Sequence, residues 1–576
     1  KFLSSKGGSK LSDVTPSYSG ERRRGGDWGR IMILSRVAGP ALQHLRRASK
    51  VVGPRKMLRF LACRPVADLS YSAVSLVLGG IGATLAAQGI SSGFLLCDES
   101  SHKQEVPKLV ALKKLGGNCT RTTDYKRDCD LLDLSKYADV KIDSKKLIAT
   151  VGASVTMEQL SSRCLAQGFL PLVVPEFRNI TVGGAIVGAG VESSSGRYGE
   201  FSETCQSCTV RLGDGEIVTC SDAENRELFD ALSGSYGSLA SVLTVELKLV
   251  KATPNVKVSY SWFEDLEEAV AYLIEAAKNH DFAEGLSFPS RHDFEIGNRH
   301  AVITADFVDP EKAGEVTHIA LAESPWFYEH VLQRRSSSGS ATEVIPTEEY
   351  LHRHERGAFW MARPEGEEVK YSLGGLLLYL LSSNPCRAWL DEYWKTTFLF
   401  KMLKNAPQAI VAENFVITDI YTDASRVPEV VLQVRGENSP FKLKTPIWLC
   451  PVRTPARPQP LSPNGHWHDR KAILIDVGLY GRVEGKRGIS AAKHLESWGH
   501  ANESRKMFYS QNYYSEEDFW RKPLFDRANY ERLRRKYKAE GRLVDLYTKV
   551  GNCEASVEAS RQGFQYWAWQ LLSRIT

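Results

Sequence analysis

Between Pro175 and Phe201, glycine recurs at Gly183, Gly184, Gly188, Gly190, Gly196 and Gly199. Each ordered glycine costs backbone entropy, so such density suits neither a packed helix nor a strand. It suits a backbone that must come close to a ligand. With no side chains in the way, successive N–H groups can point at phosphate oxygens, and Ser193, Ser194 and Ser195 add hydroxyl donors. A glycine-rich structural turn is the other reading these residues allow.

Few other residues have spacing that suggests chemistry. His352 and His354 lie two apart, which on a strand turns both to one side. One of them could serve as a general acid beside a substrate double bond, or both could be packed and hydrogen-bonded within a structural layer. Cys205 and Cys208 form a CxxC with no second CxxC or HxxxH partner. A structural zinc needs four ligands, and a redox pair wants a helix N-terminus, whereas Thr209, Val210 and Leu212 continue as strand. His466 and His468 beside Asp469 lack a third ligand and read as a surface loop, so no metal is expected. The absence of HExxH, a nucleophile elbow or a P-loop speaks against hydrolase and kinase readings.

The elements around the glycine stretch alternate between strand and helix from about residue 107 to 252. Leu147 to Val151 reads as a short apolar strand, and Thr156 with Gln159 as a capping box for a helix that stops at Gly168. Thr209 to Leu212 and Ile217 to Cys220 form a hairpin around Gly213-Asp-Gly215. Ser221 and Glu224 are expected to cap a further helix, and Val245, Leu247 and Leu249 alternate with polar neighbours as a half-buried strand. Beyond Pro254 the spacing predicts a long amphipathic helix from Glu264 to Asn279, a loop over 335–340, and strands at Ile447 to Cys450 and Ile473 to Val477. Glu531, Arg532, Arg534, Arg535 and Lys536 are placed on a solvated helix. The fold class is α+β.

The chain has 576 residues, 43% hydrophobic and 25% charged, which implies more than one domain. The net charge of +6 is mild for this length and gives no reason to expect nucleic acid. Its 11 cysteines are scattered without the regular spacing of a secreted disulfide framework. Basic residues dominate the first seventy or so positions, an Arg- and Ser-rich composition that suits a mitochondrial transit segment as well as a solvated tail. From Leu69 to Cys97 no charged residue appears, a run longer than the ~20 residues that span a bilayer. Its glycines and alanines suit a membrane helix packed against others. A buried helix also fits, and a dinucleotide loop fits less well because Leu85 stands where the third glycine of GxGxxG belongs.

The order of elements resembles the FAD domain of the vanillyl-alcohol-oxidase (p-cresol-methylhydroxylase) superfamily. Within it, the wording is similar to the delta-24-sterol reductase family. The phrases that carry the likeness are Pro175-Glu176, Thr181-Val-Gly-Gly184, Gly188-Ala-Gly190, Glu192-Ser-Ser-Ser195, Tyr198-Gly199 and Phe201. Beyond these come Tyr350-Leu-His-Arg-His354 with Phe359-Trp360, Pro446-Ile-Trp-Leu-Cys-Pro451, Ile475-Asp-Val-Gly-Leu-Tyr-Gly481 and Glu516-Glu-Asp-Phe-Trp520. The resemblance implies a two-subdomain FAD-binding domain over 107–252 and an α+β cap over 253–550 with a helical C-terminal part. A basic extension over 1–106, holding the candidate membrane helix 69–97, and a tail over 551–576 would flank them. It implies noncovalent FAD held by Gly183, Gly184, Gly188, Gly190, Ser193, Ser194, Ser195, Tyr198, Gly199 and, in a later loop, Gly237. The family's Gly-Arg-Pro-Gly type loop is replaced here by Gly116-Gly-Asn-Cys-Thr-Arg-Thr-Thr-Asp124, and its Gly-x-Leu-Gly by Gly237-Ser-Leu-Ala240.

Two functions follow from the likeness. One is an FAD-dependent oxidoreductase that reduces a C=C bond of a sterol or related lipid, with NADPH as donor and His352 or His354 as candidate acid. The other is an inactive relative serving as an accessory subunit of a multi-subunit mitochondrial inner-membrane complex. The N-terminal extension favours a membrane location, mitochondrial inner membrane or, alternatively, endoplasmic reticulum.

Overall fold

The computed structural model describes residues 109–113, 119–289, 299–335, 340–362, 388–521, 525–563 and 565–567. The N-terminal extension with its uncharged run 69–97 lies outside the described residues, as do positions 114–118 of the loop before Arg121. Among the described residues no helix is long and apolar enough to cross a membrane.

A parallel pair, β1 (Val110–Leu112) and β2 (Asp130–Leu132), precedes the first large sheet. That sheet contains β3 (Val140–Asp143), β4 (Ile148–Gly152), β5 (Phe169–Pro171), β6 (Cys205–Arg211), β7 (Ile217–Ser221) and β8 (Ser241–Lys251). The order is β3-β4-β8-β6-β7, all antiparallel, with β5 pairing with the far end of β8. The strand alternation read over Val245, Leu247 and Leu249 is present: these three are buried while Glu246 and Lys248 are not. Burying each such side chain stabilises by roughly 1.5–3 kcal/mol. Three short helices lie in the connections, α1 (Met157–Leu165), α2 (Val182–Val187) and α3 (Ser195–Tyr198), followed by α4 (Arg226–Asp230). Thr156 and Gln159 form the expected capping box on α1. The cap expected from Ser221 and Glu224 does not form. The Ser221 hydroxyl instead accepts from the N–H groups of Ala223 and Glu224 in a turn, and α4 begins later at Arg226, preceded by Asn225, whose φ is 46°.

The chain leaves β8 at Lys251 and enters the second sheet at Asn255. Its strands are β9 (Asn255–Phe263), β10 (Phe282–Ser287), β11 (His300–Val308), β12 (Ser340–Pro346), β13 (Phe415–Thr422), β14 (Ile447–Arg453), β15 (Ile473–Arg482) and β16 (Arg505–Lys506). They are ordered β12-β9-β11-β10-β14-β15-β13-β16. The long helix expected after Pro254 is α5 (Leu266–Asn279), capped by Asp265. Further helices are α6 (Thr347–Leu351), α7 (Val427–Arg435), α8 (Gly488–Ala501), α9 (Arg527–Lys536) and α10 (Leu546–Val550).

The period of two gives this sheet unlike faces. Ile475, Val477 and Leu479 of β15 join Val416, Ile420, Ile447 and Leu449 in an apolar layer with residues of α5, α7 and α8. The alternate positions, Asp476, Gly478 and Tyr480, stand beside Trp448 and Cys450 of β14 and Asp419 and Tyr421 of β13. Trp448, Cys450, Tyr421 and Tyr480 pack into the same core as Val151, Val210 and Leu247 of the first sheet. The polar face of the second sheet is therefore buried against the first.

Candidate cofactor site

The glycine segment is built on α2. Thr181 takes an extended conformation before the helix, and its hydroxyl accepts from the Gly184 N–H at 3.2 Å. Val182, Ala185 and Ile186 turn inward while Gly184 is exposed. The glycines do different jobs. A Cβ on Gly183 would lie 2.9 Å from the Ala153 Cβ, and one on Gly190 would lie 3.1 Å from Pro175 Cγ. On Gly196 it would lie 2.6 Å from the Ala277 Cβ of α5, so this glycine lets α3 rest on the second sheet's helix. Gly188 closes α2, and Gly199 has a φ of 81°, which favours glycine.

Ser193, Ser194 and Ser195 are buried, and their hydroxyls are engaged within the protein. The Ser193 hydroxyl donates to Glu192 Oε2 at 2.7 Å and that of Ser194 to the Leu172 carbonyl at 2.7 Å, while Ser195 Oγ accepts from the Glu192 N–H at 3.0 Å. The buried Glu192 carboxyl accepts from the Ser193 hydroxyl and from the Ser194 N–H at 2.9 Å. Tyr198 is half-buried, and its carbonyl accepts from Arg453 at 3.1 Å.

Gly237 lies in a wholly buried loop, where Gly234, Tyr236 and Gly237 have φ values of 72°, 49° and 73°. Three cations from distant parts of the chain meet it. Lys549 donates to the carbonyls of Gly237 at 2.7 Å and Tyr236 at 3.3 Å. Arg534 donates to the carbonyls of Ser238 and Leu543, both at 2.7 Å. Arg121 donates to the Lys549 carbonyl at 2.7 Å and lies 4.9 Å over the Tyr236 ring. Lys549 is 4% exposed and Arg534 8%. Among the described residues, none of the three is hydrogen-bonded to a carboxylate, and Arg121 Nε has no hydrogen-bond partner. Burial, with Arg121, Lys126 and Arg534 nearby, pushes the Lys549 ammonium down to about 7. Buried positive charge without a counter-charge is costly. Their N–H groups are instead taken up by backbone carbonyls, which tie the C-terminal helices to this loop. The expectation of a solvated helix fails at Arg534, which turns into the protein.

His352 and His354 are both buried, in the turn after α6 rather than on a strand, and they do not share partners. His352 donates from Nδ1 to the Glu176 carbonyl at 3.0 Å and faces Ser161 of α1 at 3.3 Å. Burial and the nearby Arg178 push it down to about 3. His354 faces Glu284 of β10 at 3.0 Å, and burial lowers it too. Both are neutral imidazoles near neutral pH. Glu284 also accepts from Arg353 at 2.6 Å and from the Trp448 indole at 2.8 Å. Burial alone would favour the neutral acid, but Arg353 holds the Glu284 carboxyl well below the usual range.

Two acids absent from the sequence reading sit on the polar face. Asp419 accepts from the hydroxyl of Tyr480, and burial pushes it up to about 7. Asp476 is fully buried, with neither carboxyl oxygen hydrogen-bonded among the described residues. Burial and the adjacent Asp419 raise it well above its ordinary value. Two carboxyls so placed cannot both ionise cheaply, so the pair retains a proton near neutrality. The signal for Asp476 was a lone acid in an otherwise apolar strand. Lys549 offered none.

A family model described as an FAD binding domain matches residues 110–221. The chain is thus a flavin-binding protein by its domain. It is 26% identical over 440 residues to the Delta(24)-sterol reductase of Homo sapiens, covering 76% of this chain and 80% of that protein. Against the Delta(24)-sterol reductase of Arabidopsis thaliana it is 28% identical over 466 residues, covering 74% and 78%. Cytokinin dehydrogenase 1 of Arabidopsis thaliana is 30% identical over 132 residues, 22% of this chain and 23% of that protein. Over about three-quarters of its length the chain is thus similar to delta(24)-sterol reductases, and its FAD-binding match lies within that stretch. Nothing in these comparisons supports the accessory-subunit alternative.

Proposed function

We propose that this protein reduces a carbon–carbon double bond in a sterol or related lipid, with NADPH as the source of electrons. The carrying observation is the extended likeness to proteins named Delta(24)-sterol reductase, spanning three-quarters of this chain and of theirs. FAD, when bound, supplies hydride transfer to one carbon of the double bond, NADPH being oxidised to NADP+ in the cycle. The second carbon needs a proton. The Asp419–Asp476 pair, buried on the face that packs toward the flavin-binding sheet, holds one for it. Arg353, His354 and Trp448 converge on Glu284 on the same buried face. His352 and His354, being neutral, position rather than donate.

The test uses the purified full chain. NADPH added without oxygen should bleach the flavin absorbance, and a sterol with a side-chain double bond should restore it while forming the saturated sterol, seen by mass spectrometry. Bleaching by NADPH with no reoxidation by any sterol would exclude the substrate class. A protein that carries flavin yet is not reduced by NADPH would exclude the donor.

A further inference from the structure

Asp419 and Asp476 share one buried face, yet their surroundings differ. Asp419 of β13 accepts from the Tyr480 hydroxyl of β15, and the Tyr509 hydroxyl, in the stretch after β16, approaches the same carboxyl. Asp476 of β15 has no donor on either oxygen among the described residues. Tyr421, directly opposite Asp476, has a hydroxyl without a hydrogen-bond partner there, so it does not anchor an Asp476 anion. The groups facing Asp476 are Asp419, Glu176, Glu200, the Cys450 thiol and the Tyr421 hydroxyl. Those facing Asp419 are Asp476 and the hydroxyls of Tyr421, Tyr480 and Tyr509. None of these groups is a cation. With no positive charge to decide between the two carboxyls, the hydroxyls decide, because an O–H favours the ionised carboxylate to which it donates.

We infer that Tyr480 and Tyr509 are positioning residues: by holding Asp419 as the carboxylate, they keep the proton of the pair on Asp476. The inference rests on that pair being the acid of the proposed reduction, but the proton's position is read without turnover. An anionic Asp419 makes Asp476 hard to ionise, since a second charge would lie near the first in a medium of low dielectric. The acid that faces no donor keeps its proton, and its O–H is not spent on a neighbour. Removing the two hydroxyls leaves the Asp419 charge buried without support, so Asp419 takes up a proton of its own. Removing the Asp419 charge acts the other way, because Asp476 then ionises with no anion beside it. Burial places Asp419 at about 7 and, with Asp419 adjacent, raises Asp476 well above its ordinary value, so at pH 8 the two are in different states.

The experiment compares full chains of wild type, Tyr480→Phe, Tyr480→Phe/Tyr509→Phe, Asp419→Asn and Asp476→Asn by infrared difference spectra of protonated carboxyl groups as pH rises. Phenylalanine keeps the ring that Tyr480 packs against Phe359, so the hydroxyls are tested rather than the fold. At pH 8 the protonated-acid band of the pair should be lost in D476N and kept in D419N. Y480F should raise the pH at which the pair releases its first proton by about one unit, and Y480F/Y509F should raise it further. D419N should lower the pH at which Asp476 releases its proton. A band kept in D476N and lost in D419N would overturn the inference by placing the proton on Asp419. A first release unchanged in Y480F/Y509F would overturn it as well, since the hydroxyls would then not set the balance. Bands and shifts as expected, together with full turnover by D476N, would uphold the proton's position and sink only its use in the reaction.

Discussion

Asp419 and Asp476 stand one rung apart on neighbouring strands, Asp476 opposite Tyr421 and Asp419 opposite Gly478, on the buried polar face of the second sheet. Asp419 is stabilised by a tyrosine hydroxyl, whereas Asp476 has no hydrogen-bond partner among the described residues. That asymmetry makes Asp476 the better place for the shared proton.

Removing that proton should stop turnover without releasing cofactor. Asp476→Asn is expected to slow reoxidation of the reduced flavin by sterol by about 10²-fold or more, with flavin absorbance per protein unchanged. Because the acid must be protonated and burial with the adjacent Asp419 raises Asp476 well above its ordinary value, the wild-type rate should show no loss as pH rises through the ordinary carboxylate range. A rate that falls between pH 4 and 6, or full turnover by D476N, would remove the pair from the chemistry.

Stability should carry the same sign. Burial pushes Glu176 up to about 8 and Asp419 to about 7, while the unfolded chain ionises both near 4. The folded state thus binds more protons between these values, and its stability falls as pH rises from about 4 to 8, by at most ~1.4 kcal/mol per pH unit per group. Glu176→Gln should flatten part of this slope in thermal melts. An unchanged slope would show that Glu176 is ionised in the fold.

The glycine segment allows two substitutions to be contrasted. Gly184 is exposed, its φ is not positive, and an added Cβ there meets the Thr181 hydroxyl at 3.0 Å. Gly184→Val should abolish flavin retention while lowering stability by no more than about 1–2 kcal/mol, the scale of a lost cap. Gly196→Val meets Ala277 at 2.6 Å and should instead prevent folding. Retained flavin in G184V would show that this turn does not approach the cofactor.

Arg353→Met leaves Glu284 buried opposite only His354 and Trp448. Breaking such a pair costs about 3–5 kcal/mol, so a melting temperature within a degree or two of wild type would mean the pair is not buried in solution.

For the N-terminal extension we expect membrane anchorage through 69–97, resisting carbonate and yielding to detergent. Release by salt alone would count against insertion.

The elements were readable wherever one period ran long enough. The capping box at Thr156, the hairpin around Gly215, the helix after Asp265 and the alternation in β8 follow from spacing that neighbouring residues enforce. The glycine segment was readable as a close-approach backbone, but which glycine packs and which is bare depends on partners such as Ala277 and Pro175, far away in sequence. The histidines misled because two residues apart implies one face only on a strand, and the chain turns there. Arg534 sits in a run of charges and looked solvated; only tertiary packing turns it inward. Lys549 shares its site with Arg121 across 428 positions, a relationship that no local pattern records.

That separation also sets the timing of assembly. The loop at 236–238 is translated well before the groups that hold its carbonyls, Arg534 lying 296 positions after Ser238 and Lys549 312 after Gly237. Contacts so far apart close slowly. A nascent or truncated chain ending before α10 would present the first sheet without this closing contact. A stop before α10 should therefore leave the carbonyls of 236 and 237 without their lysine and lower the melting temperature of the first sheet.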